Sequence, residues 1–216
     1  MKTLIGATVV ALAMAQVALS SEYSKVNGSI SIAAGETVGS TSTVNGSIEV
    51  GERAKVGSVR TVNGSVSLAA GATVTAVETV NGSIEASGGA RVSGNVRAVN
   101  GKLNISAGAV IGGNLTNVNG TIDLEKSQIK GKITTVNGDL TVGSGAHVDG
   151  GILYQKPSTS WGMPGRPPRV VIGPDAIVGG SLVFERTVEL FVSESAKIGP
   201  VTGATPVRFK GATPPG

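Results

Sequence analysis

The chain has 216 residues, 33 of them Gly and only 3% aromatic, a Gly share about twice the usual one. Without Cys it can hold no disulfide, Fe–S cluster, thiol nucleophile or lipidated cysteine, and a net charge of +4 carried by scattered Lys and Arg does not point to nucleic acid. A hydrophobic content of 40%, mostly small aliphatics, excludes a polar disordered chain and predicts a thin core; the Gly has no three-residue period, so collagen is excluded too.

At the start of the chain, Lys2 precedes an apolar run from Leu4 to Leu19, closed by Ala13-Met14-Ala15 and Ala18-Leu19-Ser20. This is the pattern of a signal peptide over residues 1–20, cleaved within 15–20. The run is short for a membrane span, and no other apolar stretch is long enough. The expectation is an exported protein, periplasmic or extracellular, with no membrane span in the mature chain. A mechanism that needs cytosolic ATP, acyl-CoA or NAD is then excluded.

Residues 21–154 are built on a repeat. Val-Asn-Gly recurs with its Val at Val26, Val44, Val62, Val80, Val99, Val118 and Val136, and its Asn at Asn27, Asn45, Asn63, Asn81, Asn100, Asn119 and Asn137. The spacing is 18 or 19 residues. Within each unit aliphatic residues sit six apart: Val26, Ile32, Val38, Val44, Val50, Val56, Val62, Leu68, Val74 and Val80. All of these are expected to point inward. A second inward position lies two residues earlier. It is large on one face (Ile30, Ile48, Val66, Ile84, Leu103, Ile122, Leu140) and small on another (Ala54, Ala72, Ala90, Ala109, Ala146).

Short alternating stretches are strands with one buried face. They are separated by Gly corners, where positive φ carries no steric penalty. Strands this short bury themselves only when each coil stacks on the next, so that equivalent residues form files. Three hexads per coil predict an all-β fold: a single-stranded, triangular, parallel β-solenoid of 18–19 residues per coil. Seven coils at ~4.8 Å each give a rod of about 34 Å. An 18-residue period is too short for a propeller blade, and the Gly, Val, Thr and Asn content disfavours a helical solenoid. The period does not reveal handedness.

The repeat is interrupted at 155–169, where Pro157, Pro164, Pro167 and Pro168 exclude a central strand. This segment is expected to be a loop thrown out from the rod, offering Tyr154, Trp161, Arg166 and Arg169 as exposed contacts. The pattern returns over 170–200 as terminal coils and a cap. Phe184, Phe191 and Phe209, all the Phe of the chain, lie from here on and form a candidate docking surface. Residues 201–216 are expected to be a disordered tail.

Phrases such as Gly71-Ala-Thr-Val74, Gly89-Ala-Arg-Val-Ser-Gly94, Gly145-Ala-His-Val-Asp-Gly150 and Gly173-Pro-Asp-Ala-Ile-Val-Gly179 resemble those of the bactofilins, bacterial polymer-forming proteins. The resemblance covers residues 26–152 and 170–200. It implies a right-handed triangular β-helix that associates end to end without nucleotide. The hexad spacing also resembles that of hexapeptide acyltransferases, which use a His at a subunit cleft. Here the only His is His147, facing outward beside inward Ala146 and Val148, and it reads as a surface residue.

The acids Glu49, Glu85, Asp123 and Asp139 are isolated, unlike the clustered carboxylates of a β-helical lyase or hydrolase. No metal-ligand motif is present, and no cofactor is expected. The Asn file can bond to its own stacked copies or to the turn backbone; its Asn-Gly-Ser/Thr sequons are a by-product of the repeat. A partial Thr file (Thr43, Thr61, Thr79, Thr135) runs beside it, broken by Ala98 and Asn117. The two files are similar to the rows of ice-binding solenoids, but the breaks and Arg60, Glu78 and Arg97 make the face too irregular for ice. The functional expectation is an exported structural scaffold of the cell envelope, not an enzyme, whose partner is itself. A module binding an envelope glycan or protein through 155–169 or a flat face is the alternative.

Overall fold

A computed structural model describes residues 22–157 and 166–215. The expected signal peptide, its cleavage site and Trp161 lie outside the described residues. Within them the chain is all-β, with no helix, and every strand pairing is parallel. A ten-stranded sheet holds one strand from each of ten turns, and a 17-stranded sheet carries the rest.

Three columns of short strands run along the solenoid. One contains Ile30–Ile32, Ile48–Val50, Val66–Leu68 and their successors. A second begins with Thr37–Val38 and continues through Arg91–Val92 and His147–Val148. The third begins with Tyr23–Asn27 and Thr41–Asn45 and ends at each Asn-Gly corner. In two coils the second and third columns are one strand, Lys55–Asn63 and Thr73–Asn81.

The register is the repeat itself. Ile48 pairs with Val66, which pairs with Ile84, and Asn45 with Asn63, which pairs with Asn81. Because Thr43–Thr61–Thr79 and Asn45–Asn63–Asn81 are both in register, Val44, Val62 and Val80 between them stand in one file. The core is a single aliphatic cluster along the axis. Both expected inward positions of the first two columns are buried, the large one (Ile48, Leu103, Leu140) and the small one (Ala54, Ala90, Ala146).

Tight stacking explains the glycines better than flexibility does. A Cβ on Gly64 would lie 2.0 Å from the carbonyl oxygen of Gly46 one coil away. The corner of one coil therefore rests directly on the backbone of the next.

Three expectations are corrected. The first concerns the third column, where the hexad count is off by one. Its inward residues are Val59 and Thr61, Val77 and Thr79, Leu115 and Asn117, Ile133 and Thr135. The Val of Val-Asn-Gly points outward: Val26 is 67% exposed, Val44 40% and Val80 37%. The Gly57-Ser58 corner resets the alternation between Val56 and Val59, so counting sixes across it puts the wrong residue inside.

Three of the buried Thr are satisfied there. The hydroxyls of Thr43, Thr61 and Thr79 donate to the carbonyls of Gly28, Gly46 and Gly64 at 3.1, 2.9 and 3.0 Å. A hydrogen-bonded buried hydroxyl costs little, so a polar residue holds an inward slot while an apolar one beside it faces solvent. The Thr file therefore does not share a surface with the Asn file.

The second correction is the tail. The solenoid does not stop at residue 200: Val201–Thr202 and Val207–Phe209 add strands on Leu182–Phe184 and Glu189–Ser193. Phe209 is buried and anchors this last addition. The third correction is Tyr154. It is an inward core residue, paired with Thr135 in the preceding coil and Phe184 in the following one.

Candidate functional site

Two surfaces carry organised side chains. The first is the Asn corner of the repeat. Each Asn Nδ2 donates to the Oδ1 of the Asn one coil before it: Asn45 to Asn27, Asn63 to Asn45, Asn81 to Asn63, Asn100 to Asn81, Asn119 to Asn100 and Asn137 to Asn119, at 2.8–3.0 Å. Of the two partners open to these amides in the sequence, the stacked copies are the ones used. The ladder has a direction, since every amide donates toward the N-terminal end. Its acceptor end is closed by Arg186, whose Nη1 donates to Asn137 Oδ1 and, at 2.9 Å, to the carbonyl of Val136. Nothing in the sequence marks Arg186 for this, because it lies 49 residues from Asn137 across the Pro-rich insertion.

The second surface surrounds the root of that insertion, and Asp139 is its hub. Its Oδ1 accepts the backbone N–H of Arg169 at 2.8 Å, and its Oδ2 accepts Arg166 Nη2. The insertion therefore returns to the rod on a carboxylate that stands where earlier coils have Ser29, Ser47, Ser65 and Ser83. That substitution, in the last coil before the Pro-rich stretch, is the signal that could have singled out Asp139. On the other side of the loop, the backbone N–H of Lys156 donates to Glu185 at 3.1 Å.

Arg169 lies with its guanidinium carbon 4.6 Å from the centroid of the Phe191 ring and donates to the carbonyl of Pro215 at 2.6 Å. The C-terminal residues thus run back over the outer face of the last coils. Between them and that face is an open groove of about 1070 Å³, lined by Asp139, Thr141, Val171, Ser195, Phe209 and Pro214 among others. Its surface is more apolar than polar, with hydroxyls and charged groups among the lining.

Of the expected loop contacts, Arg166 and Arg169 meet at Asp139. Tyr154 does not join them: its hydroxyl donates inward to the carbonyl of Gly138 at 2.9 Å, and burial pushes that hydroxyl's pKa well up. The expected aromatic docking surface is not formed either. Phe184 is buried with its ring centroid 5.7 Å from that of Tyr154, Phe209 is buried, and only Phe191 is partly open beneath Arg169. Large rings went inward because the slot held by Thr in earlier coils is filled here by Tyr154 and Phe184.

The acids named from sequence stay apart. Glu49, Ser67, Glu85, Asn104 and Asp123 alternate in one outward file, and Lys102 pairs with Asp123 at 2.8 Å, which raises the lysine's pKa. His147 faces outward as expected, with Nε2 3.0 Å from Asp149 Oδ1. Among the described residues no cluster of His, Asp and Glu could hold a metal, and no helix is long and apolar enough to cross a membrane. Comparison with protein-family models, with curated proteins and with solved structures gives no match to this chain.

Proposed function

We propose that this chain is an exported, self-associating structural β-solenoid, a scaffold of the cell envelope that extends by end-to-end stacking. The observation that carries this reading is the pair of ends. Among the described residues, Tyr23–Asn27, Ile30–Ile32 and Thr37–Val38 of the first coil each pair on one side only, and Lys197–Ile198, Val201–Thr202 and Val207–Phe209 of the last do the same. Each end thus offers three strands of the same sense with one open edge, and such an edge templates another strand. A head-to-tail contact of this kind does not close on itself, so it builds filaments.

The apolar run from Leu4 to Leu19 supports export to the periplasm or beyond. The bactofilin resemblance supports polymer formation and, with it, a right-handed triangular winding. The separated acids and the outward His147, beside Asp149 alone, support a non-enzymatic role without a cofactor. Negative-stain microscopy with sedimentation over a concentration series tests the reading: filaments whose length grows with concentration are expected. Monodisperse protein without filaments at the highest concentration would sink it.

A second reading is favoured by the groove beside Asp139 and Arg169: a module that binds an envelope glycan or protein next to the 155–169 insertion. Shortening 155–169 to a four-residue corner, the length that joins Thr135 to Leu140 one coil earlier, would abolish binding of envelope glycan fragments and leave assembly intact if this reading holds.

A further inference from the structure

The outward Val of every Val-Asn-Gly poses a question that folding does not answer. The other outward position of the same strand varies freely along the rod: Ser24, Ser42, Arg60, Glu78, Arg97, Thr116, Thr134. So does the outward file of the first column, from Ser31 and Glu49 to Asn104 and Asp123. Of the outward side chains only the Val and its neighbouring Asn are the same in all seven coils, and the Val faces solvent, Val26, Val44 and Val80 each more than a third exposed and Val62, Val99, Val118 and Val136 half-buried. The result is a straight apolar stripe about 29 Å long, at one strand spacing per residue.

The stripe is flanked by the Asn file, whose amides bond to one another along the axis, six bonds in series. Each amide keeps its second N–H for a partner across a contact. A contiguous apolar stripe with a polar rim is the make-up of a contact surface.

We infer that this stripe is a lateral interface with a second copy of the chain, the two rods lying side by side and antiparallel. Spacing selects the partner, because only another such solenoid repeats apolar side chains at the same interval over seven coils. Charge selects the register. With the twofold axis between Val62 and Val80, Arg60 of one copy faces Glu78 of the other, and Ser42 faces Arg97. An axis through the Val80 level would instead oppose Glu78 to Glu78 and Arg60 to Arg97. Arg60 and Glu78 already pair within one chain, the arginine largely exposed and the glutamate half-buried, so the opposite charges that meet along the rod also meet across the axis. The contact is isologous and closes at two copies, unlike the open-ended stacking proposed above, and it stands whether or not the ends associate.

The full chain with Val44, Val62, Val80 and Val99 changed to Thr keeps the β-branched shape that strands favour, and circular dichroism checks its fold. Sedimentation velocity below the concentration at which filaments form is expected to show a monomer–dimer equilibrium for the parent and the variant's dissociation constant raised at least ~10-fold, since apolar area is lost at four contacts per copy. Arg60→Glu weakens the pair, and adding Glu78→Arg restores it. Because the chain has no Cys, cross-linking is clean: a mixture of Val62→Cys and Val80→Cys copies gives a disulfide-linked dimer on oxidation, and a mixture of Val62→Cys and Val136→Cys copies does not. A variant that dimerises like the parent overturns the inference. So does a parent that stays monomeric at every concentration without the cross-link, which would leave the stripe to a foreign partner. Loss of filaments with the dimer retained counts against the end-stacking reading alone.

Discussion

Between Thr41 and Val142 the column that ends at each Asn-Gly corner turns small residues inward: Thr43, Thr61, Thr79, Ala98, Asn117 and Thr135. From Ile152 onward the same slot holds Tyr154 and then Phe184. The first region is held at this corner by hydroxyl-to-carbonyl bonds and an outer amide ladder. The second is held by two rings packed at a tilt, and its Arg186 reaches back to close that ladder. The slot is thus a fixed place in the fold with no fixed chemistry. It accepts the methyl of Ala98, a polar group or a ring, and where it holds a hydroxyl that group can donate to the carbonyl of the preceding corner, Tyr154 to Gly138 as Thr61 to Gly46. At one place the donors are shared unevenly. Asn117 Nδ2 donates to both Gly101 and Gly120, and Thr135 Oγ1 and Asn117 Oδ1 are left buried without a partner.

This contrast can be broken hardest at the corner itself. Gly64→Ala drives a methyl into the Gly46 carbonyl, and thermal or urea unfolding should show a loss of about 4 kcal/mol, the largest class of point effect. At Tyr154, truncation to Ala empties the slot and should cost about 3 to 5 kcal/mol. Tyr154→Phe keeps the ring, leaves the Gly138 carbonyl unpaired and should cost about 1 to 2 kcal/mol.

The same residue sets a pH response. Burial holds the Tyr154 hydroxyl above its ordinary pKa, so the unfolded chain sheds this proton first as pH rises. Stability is therefore full below about pH 10, the unfolded value, and falls above it. Unfolding followed from pH 8 to 11 should show that decline, and Tyr154→Phe should flatten it.

A pair of substitutions sharpens the comparison through opposite signs. Thr61→Val removes the donor to Gly46 and should destabilise by about 1 kcal/mol, whereas Thr135→Val removes an orphan hydroxyl and should be neutral or stabilise by up to about 1 kcal/mol. Equal losses at both sites would show that the inward hydroxyl bond is not what fits Thr to this slot. The smallest effect concerns another corner, where Arg53, Lys126 and Asp175 adopt positive φ while Gly35, Gly71, Gly89, Gly108 and Gly145 fill the same place in other coils. Arg53→Gly relieves that backbone and should stabilise by about 0.5 kcal/mol, the steric relief being partly offset by the entropy of Gly.

Much of this was legible in the letters. Ile48, Val66 and Ile84 had to stack because nothing else buries strands of three residues, and the structure pairs them. The Asn file was equally plain. The orientation of the Val file was misread, because hydropathy alone prefers Val to Thr inside, and the acceptor that makes Thr61 acceptable there, the Gly46 carbonyl, belongs to another coil's backbone. The aromatic end was misread for a related reason: Tyr154 and Phe184 look like surface anchors beside a Pro-rich loop until the register places them in the Thr slot. Arg186 and Asp139 were invisible as partners of Asn137 and Arg169, since a loop of unspecified path lies between them.

The sequence alone determined the architecture, because a period of 18 or 19 residues over seven copies leaves parallel stacking as the one arrangement that buries every strand. Only the tertiary structure decided which way each residue of the Asn column points, how the last coils close and where the C-terminal residues lie. Those outcomes depend on how many residues each corner consumes and on hydrogen bonds between coils, and neither is written in a residue's own hydropathy.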